Sequence, residues 1–117
     1  MIVPQGERPQ VPEISVQEAH DRAQRGQGVI VDVREDEELA QAAVPGAVHI
    51  PLGQLHARAG ELPRDKELLL FCRSGNRSSF ATDYLRSAGF NSAVNVAGGI
   101  LAWTEAGLPS TSGPQIR

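Results

Sequence analysis

The chain has a single cysteine in 117 residues, Cys72, so it can form no internal disulfide, supply no resolving thiol and build no thiolate metal cage. If that sulfur reacts, its next partner must come from outside the chain. Positive charge is also in short supply. A net charge of -3 and a pI near 5.5 leave no basic field of the kind that holds nucleic acid or an anionic membrane, so any anion site must be local. No apolar run approaches the length of a membrane span, and the opening "MIVPQGERPQVPE" lacks a basic region followed by an apolar stretch, so neither a signal peptide nor an anchor is expected and a cytoplasmic protein is. Aromatics amount to one Trp, one Tyr and three Phe; Trp103 and Phe80 fall on expected helices as core or pocket-wall side chains, not as stacking platforms. The three histidines, His20, His49 and His56, have no ligand spacing, and no metal is expected.

What is present suits one domain with one packed core. Pro4, Pro9 and Pro12, and the Pro, Ser, Thr and Gly content of 109 to 117, mark tails at 1–12 and 109–117 around a folded region over 13–108. Ser15 three residues before Glu18 is a capping-box spacing, and Gly26 offers a stop, so a helix is expected over 16–25. "VIVDV" (29–33) reads as a strand covered on both faces. The acid-led "EDEELAQAA" (35–43) reads as a helix with carboxylates at its positive end. "AVHIP" (47–51) is a short strand and "LGQLHARAGEL" (52–62) a helix. "ELLLFC" (67–72) is the most apolar strand, followed by a helix over 78–90, the strand "SAVNV" (92–96) and a helix over 98–109. Strands alternating with helices argue for an α/β fold with a parallel sheet between two helical layers, and such sheets place their sites beyond the carboxyl ends of the strands. Cys72 stands at such an end.

The six residues after it, "RSGNRS" (73–78), contain no proline, so each brings a backbone N–H, and Gly75 can take the positive φ that a tight loop needs. A loop of this kind curling into a helix start gathers amide donors into an anion cradle. The same dipoles, with the guanidinium groups of Arg73 and Arg77, favour thiolate over thiol and would hold negative charge on whatever atom the sulfur captures. A lone cysteine after an apolar strand is more often a small buried hydrophobe. The glycine-containing, proline-free, doubly basic loop beside it reverses that reading.

"CRSGNRS", with "VDVRE" (31–35), "VPGAVHIPL" (44–52) and "VAGGILAW" (96–103), resembles the single-domain rhodaneses, the thiosulfate sulfurtransferase family, over about 14–107. The resemblance implies a rhodanese-like α/β fold, a five-stranded parallel sheet flanked by helices on both faces, with the nucleophile in the loop after the central strand. It implies Cys72 as the catalytic residue and Arg73, Ser74, Gly75, Asn76, Arg77 and Ser78 as the substrate-binding loop, with Asp32 and Arg34 in a supporting role, as a salt-bridged prop for loop packing. Implied partners are thiosulfate or another sulfane-sulfur donor, and cyanide, a small thiol or a protein thiol as acceptor. No cofactor, nucleic acid or membrane is expected, and a monomer is. One departure stands out: many members carry Gly-His-Ile before Pro-Gly-Ala, where this chain has Ala42, Ala43 and Val44 before Pro45.

Alternatives are a sulfur-relay or partner-binding module without thiosulfate turnover, and, less favoured, a phosphatase or arsenate reductase of the same fold. Phosphatases resembling the cell-cycle enzymes place five residues between cysteine and arginine, whereas four separate Cys72 from Arg77. The shorter loop suits a single sulfur atom better than a tetrahedral phosphate. Arg58 and Arg64 could also direct charge at an anionic donor, although a solvated surface role is the simpler expectation. Gly98 and Gly99 lack a dinucleotide-binding frame and read as a tight strand-to-helix turn.

Overall fold

Leucines, β-branched residues and the absence of proline make Gly28–Asp32 (β2) and Glu67–Phe71 (β5) the two longest strands, and they pair in parallel along their full lengths at the middle of the sheet. The structure is a computed structural model that describes residues 7–112. Around this centre the chain runs β1 (Glu13–Ile14), α1 (Val16–Gln24), β2, α2 (Asp36–Gln41), β3 (Ala42–Ala43), β4 (Val48–His49), α3 (Leu55–Arg58), β5, α4 (Asn76–Ser87), β6 (Ala93–Val96), α5 (Gly99–Glu105) and β7 (Thr111–Ser112). Five strands form one sheet in the order β1-β6-β5-β2-β4, every neighbouring pair parallel. The α/β architecture with a five-stranded parallel sheet is as expected. No helix among the described residues is long and apolar enough to cross a membrane.

The period-2 alternation of strand side chains divides the interior into two cores. On β5, Leu68 and Leu70 pack with Val31, Ile50, Leu55, Ala81 and Leu85 on the face covered by α3 and α4. Leu69 and Phe71 point the other way, to Val16, Ala19, Val96, Ile100 and Trp103 under α1 and α5. Phe71 meets Trp103 edge-on at 5.7 Å between ring centroids. Cys72 inherits the parity of Leu70 and so turns toward α4.

Several local expectations shift. Ser15 caps α1 through a 3.1 Å bond from the Glu18 amide, as its spacing predicts. The expected helix over 35–43 stops at Gln41, because Arg34 Nη2 donates to the Ala42 carbonyl at 2.8 Å and Ala42 turns extended, at φ -161°. The segment read as one helix over 52–62 is instead two 3₁₀ turns, Leu52–Gln54 and Ala59–Glu61, around the four-residue α3; Gly53 and Gly60 weaken helix there and no side chain caps it.

The segments read as tails also make defined contacts. Ala42 and Ala43 pair antiparallel with Ser112 and Thr111, and the Trp103 indole donates to the Pro109 carbonyl at 2.8 Å, so ordered backbone continues past 108. Before residue 13, the Pro12 carbonyl accepts from the Asn95 amide. The parts of the expected tails at 1–6 and 113–117 lie outside the described residues. Because Leu69 is wholly buried between β5 and the α1/α5 layer, Leu69→Ala should lower unfolding stability by roughly 2–5 kcal/mol. Leu101→Ala, at a side of α5 that is 48% exposed, should change it by less than about 0.5 kcal/mol. Urea unfolding of the two variants checks the contrast.

Candidate active site

The loop after β5 owes its shape to what happens to two carbonyls. The amide of Ile100, in the first turn of α5, donates to the Cys72 carbonyl at 2.9 Å, and that of Leu101 to the Arg73 carbonyl at 3.2 Å. With the carbonyls drawn toward α5, the following N–H groups face the opposite side, where the sulfur is. Gly75 takes φ +101°, immediately before α4, and its amide donates to Cys72 Sγ at 3.1 Å. The Ser78 amide donates at 3.3 Å, and Ser78 Oγ lies 3.2 Å away. Cys72 is 1% exposed and Ser78 fully buried, while Arg73 and Ser74 form the exposed tip of the loop and Asn76 is half-buried.

The approach of α5 depends on Gly99. A Cβ there would fall 2.1 Å from the Cys72 carbonyl oxygen and 2.6 Å from that of Arg73. The Gly98–Gly99 pair is therefore a strand-to-helix turn, as expected, and also the contact surface that lets α5 orient the cysteine loop.

Below the loop, Asn95 on β6 donates from Nδ2 to Glu13 at 2.8 Å and to the Gly75 carbonyl at 3.0 Å. Both partners are acceptors, which fixes the amide with Oδ1 toward the Ser78 hydroxyl, its remaining neighbour. That hydroxyl has one proton and two acceptors, Asn95 Oδ1 and Cys72 Sγ, so it serves one at a time. Arg8 completes the support: Nη1 donates to the Gly75 carbonyl at 2.7 Å, and Nη2 pairs with Glu13 at 3.0 Å.

The arginines divide differently from their expected roles. Arg77 does not offer its charge freely to the sulfur; its Nη1 and Nη2 bind the two carboxylate oxygens of Glu38, both at 2.7 Å. Glu38 also accepts from the Glu35 amide at 3.0 Å. Its hydrogen bonds to Arg77 and Glu35, with the charges of Arg77 and Arg34 nearby, hold the Glu38 carboxyl down at about 2. Arg34 is similarly engaged, in a buried fork on Asp32 (3.0 Å from Nε, 2.8 Å from Nη2), and both residues are at most 2% exposed. Neither touches Cys72; together they hold the turn after β2 and the end of α2. Arg73 has no ion-pair partner among the described residues.

Other candidates lie elsewhere. Arg58 pairs with Glu61 and Gln54, and Arg64 stacks over Phe90 at 4.0 Å. His20 packs edge-on to Trp103, His56 against Tyr84, and His49 Nε2 lies 2.7 Å from the Arg34 carbonyl. No metal-binding cluster of His, Cys, Asp and Glu occurs among the described residues. Glu38, Asn95, Glu13 and Arg8 were not singled out by the sequence reading. Only Glu38 had a usable signal, its place three residues after Glu35 at a helix start.

Two outcomes follow from this geometry. Gly99→Ala should destabilise the chain by roughly 2 kcal/mol or more, because backbone on both sides of the contact must shift; chemical unfolding reads it. A Glu38 carboxyl depressed in the folded state contributes stability above its ordinary value near 4.5, and loses it as pH falls toward about 2. Glu38→Gln should therefore cost about 1 kcal/mol at pH 7, allowing for the partial exposure of the pair, with the gap from wild type closing across that acid window. Unfolding at a series of pH values measures the gap.

Comparison with known proteins bears on this site. The chain is 40% identical over 81 residues to a sulfurtransferase of Allochromatium vinosum, covering 69% of this chain and 76% of that one. Among solved structures it is similar to a rhodanese-related protein from Thermoplasma volcanium, with TM-score 0.79, 31% identity and coverage of 86% of this chain and 97% of that one. It also matches a thiosulfate sulfurtransferase from Pseudomonas aeruginosa, with TM-score 0.79 and 26% identity over 92% of this chain but 21% of that one. The rhodanese-like domain profile matches residues 15–106, a span that takes in every element from α1 to α5, and on that ground the chain belongs to the rhodanese-like domain family.

Proposed function

We propose that the chain is a sulfurtransferase that carries a sulfane sulfur, taken from thiosulfate or a persulfide, on Cys72. The observation that carries this reading is the convergence of the Gly75 and Ser78 amides on one buried sulfur at 3.1 and 3.3 Å, with the Ser78 hydroxyl, whose proton is shared with Asn95, 3.2 Å away. Donors at these positions stabilise a thiolate and, after transfer, the charge on the persulfide. Their spacing centres on a single sulfur atom, which suits sulfur transfer better than capture of a tetrahedral phosphate.

In the first half-reaction the Cys72 thiolate attacks the outer sulfur of thiosulfate. The new S–S bond forms as the old one breaks, and sulfite leaves with the electron pair. In the second, a thiolate or cyanide attacks the outer sulfur of the Cys72 persulfide and the Cys72 thiolate is regenerated. The roles proposed on these contacts are Cys72 as the nucleophile, with Gly75 and Ser78 as the donors to it. Arg73, Ser74 and Asn76 shape the exposed rim, and Arg77 with Glu38 anchors the start of α4 to α2. Asp32 and Arg34 support the neighbouring turn. The folded unit proposed for this activity extends beyond 13–108 to take in Arg8 and β7, working as a cytoplasmic monomer without a cofactor. A cysteine that is 1% exposed is reached by a slender terminal sulfur rather than by a bulky electrophile, which fits small donors and a flexible acceptor thiol.

Intact mass tests the reading directly. One sulfur atom should be gained from thiosulfate or cysteine persulfide, map to Cys72 and be released as thiocyanate with cyanide. Cys72→Ser should gain none while keeping the wild-type circular dichroism spectrum. Full turnover by that variant would refute the assignment.

A further inference from the structure

A dianion such as thiosulfate needs positive charge at the mouth of the site, and three arginines stand near it: Arg34, Arg73 and Arg77. Two of the three are already committed. Asp32 takes Arg34 in a buried fork, and Glu38 takes both Nη atoms of Arg77. Arg77 is close enough to Cys72 and to Glu35 to respond to the charge of each, and Asp36 and Glu37 also stand in the first turn of α2. The cleft beside the loop, about 350 Å³, is lined by Arg34, Glu38, Gln41, Arg73, Leu101 and Thr104, so Glu38 and Arg73 border one space next to the loop. Arg73 is the one arginine of the three without an ion-pair partner among the described residues.

We infer that Glu38 is a specificity-determining residue: by occupying Arg77 it selects hydropersulfide donors over dianionic thiosulfate. The inference rests on the sulfurtransferase reading and names its donor class. The two reactions differ in the charge they gather. Attack of the Cys72 thiolate on thiosulfate brings three negative charges together before sulfite leaves. Attack on the outer sulfur of a neutral hydropersulfide brings one: the S–S bond breaks, the donor departs as thiolate with the electron pair, and the outer sulfur stays on Cys72 with its proton. A local balance near neutrality, with further acids in the first turn of α2, penalises the first far more than the second. Glu38 acts through Arg77 and the local field, not by touching the reacting atoms.

The test is single-turnover loading of Cys72, followed by intact mass, from thiosulfate and from cysteine persulfide in parallel, with wild type and Glu38→Gln. The substitution keeps one acceptor oxygen for the Glu35 amide and Arg77 Nη1, and removes the charge together with the bond from Arg77 Nη2. The ratio of thiosulfate to persulfide loading rates should rise about fivefold at low ionic strength, the Coulombic scale for removing one charge near a dianion in a largely aqueous medium, and the rise should shrink in 0.5 M salt, a condition chosen to shorten the Debye length to about 4 Å. Arg73→Gln, at an exposed side chain, should move the ratio the other way. A ratio that stays within about twofold of wild type in Glu38→Gln, or that moves toward persulfide, overturns the inference while leaving the sulfurtransferase reading intact. A wild-type chain that neither donor loads overturns both.

Discussion

The site depends on a competition between backbone groups. Peptide dipoles cannot direct N–H groups toward a sulfur unless their carbonyls are satisfied elsewhere, and in this chain the first turn of α5 satisfies them. Ile100 and Leu101 hold the carbonyls of Cys72 and Arg73, and from that constraint follow the curl of the loop, the positive φ of Gly75 and the aim of the Gly75 and Ser78 amides. The glycine pair ahead of α5 makes the close approach sterically possible. Thus a segment 28 residues downstream of the cysteine shapes the loop as much as the loop's own sequence does.

Much of this could be read without coordinates. The Ser15 cap of α1, the apolar runs of β2 and β5 and the stop signal at Gly26 report local physics, and local physics dominates where a long element buries an unambiguous face. The cysteine loop was legible for the same reason: a run of small and basic residues with one glycine has few conformations that enter a helix. The short elements were not. Ala42 and Ala43 have good helix propensity and sit in a two-residue strand because Arg34 takes the Ala42 carbonyl and β7 pairs alongside, long-range contacts that propensity cannot anticipate. β1, two residues long, carries too little pattern to be seen and is a strand because β6 offers it an edge.

The charge arrangement was legible only in part. A guanidinium in sequence is a positive charge; in a fold its effect depends on what stands opposite. Arg77 and Arg34 both lie near the expected site, and both are balanced by carboxylates, one from α2 and one from the strand just before it. The spacing between Arg77 and Glu38, 39 residues, is a consequence of topology. The same holds for Asn95, which reaches Glu13 across 82 residues because β6 lies between β1 and β5 in the sheet.

The alternation of side chains along β5 has a consequence for how such a site can change. Successive residues of the strand belong to different interiors, so the identity of residue 72 matters no more than whether its position is odd or even relative to Leu68. Deleting one residue between them would keep every letter of the loop and yet deliver the sulfur among Trp103 and Val96, beneath α5 and away from the amides of α4. The length of the strand is in this sense a two-state selector, and the loop motif has chemical meaning only on one of its settings.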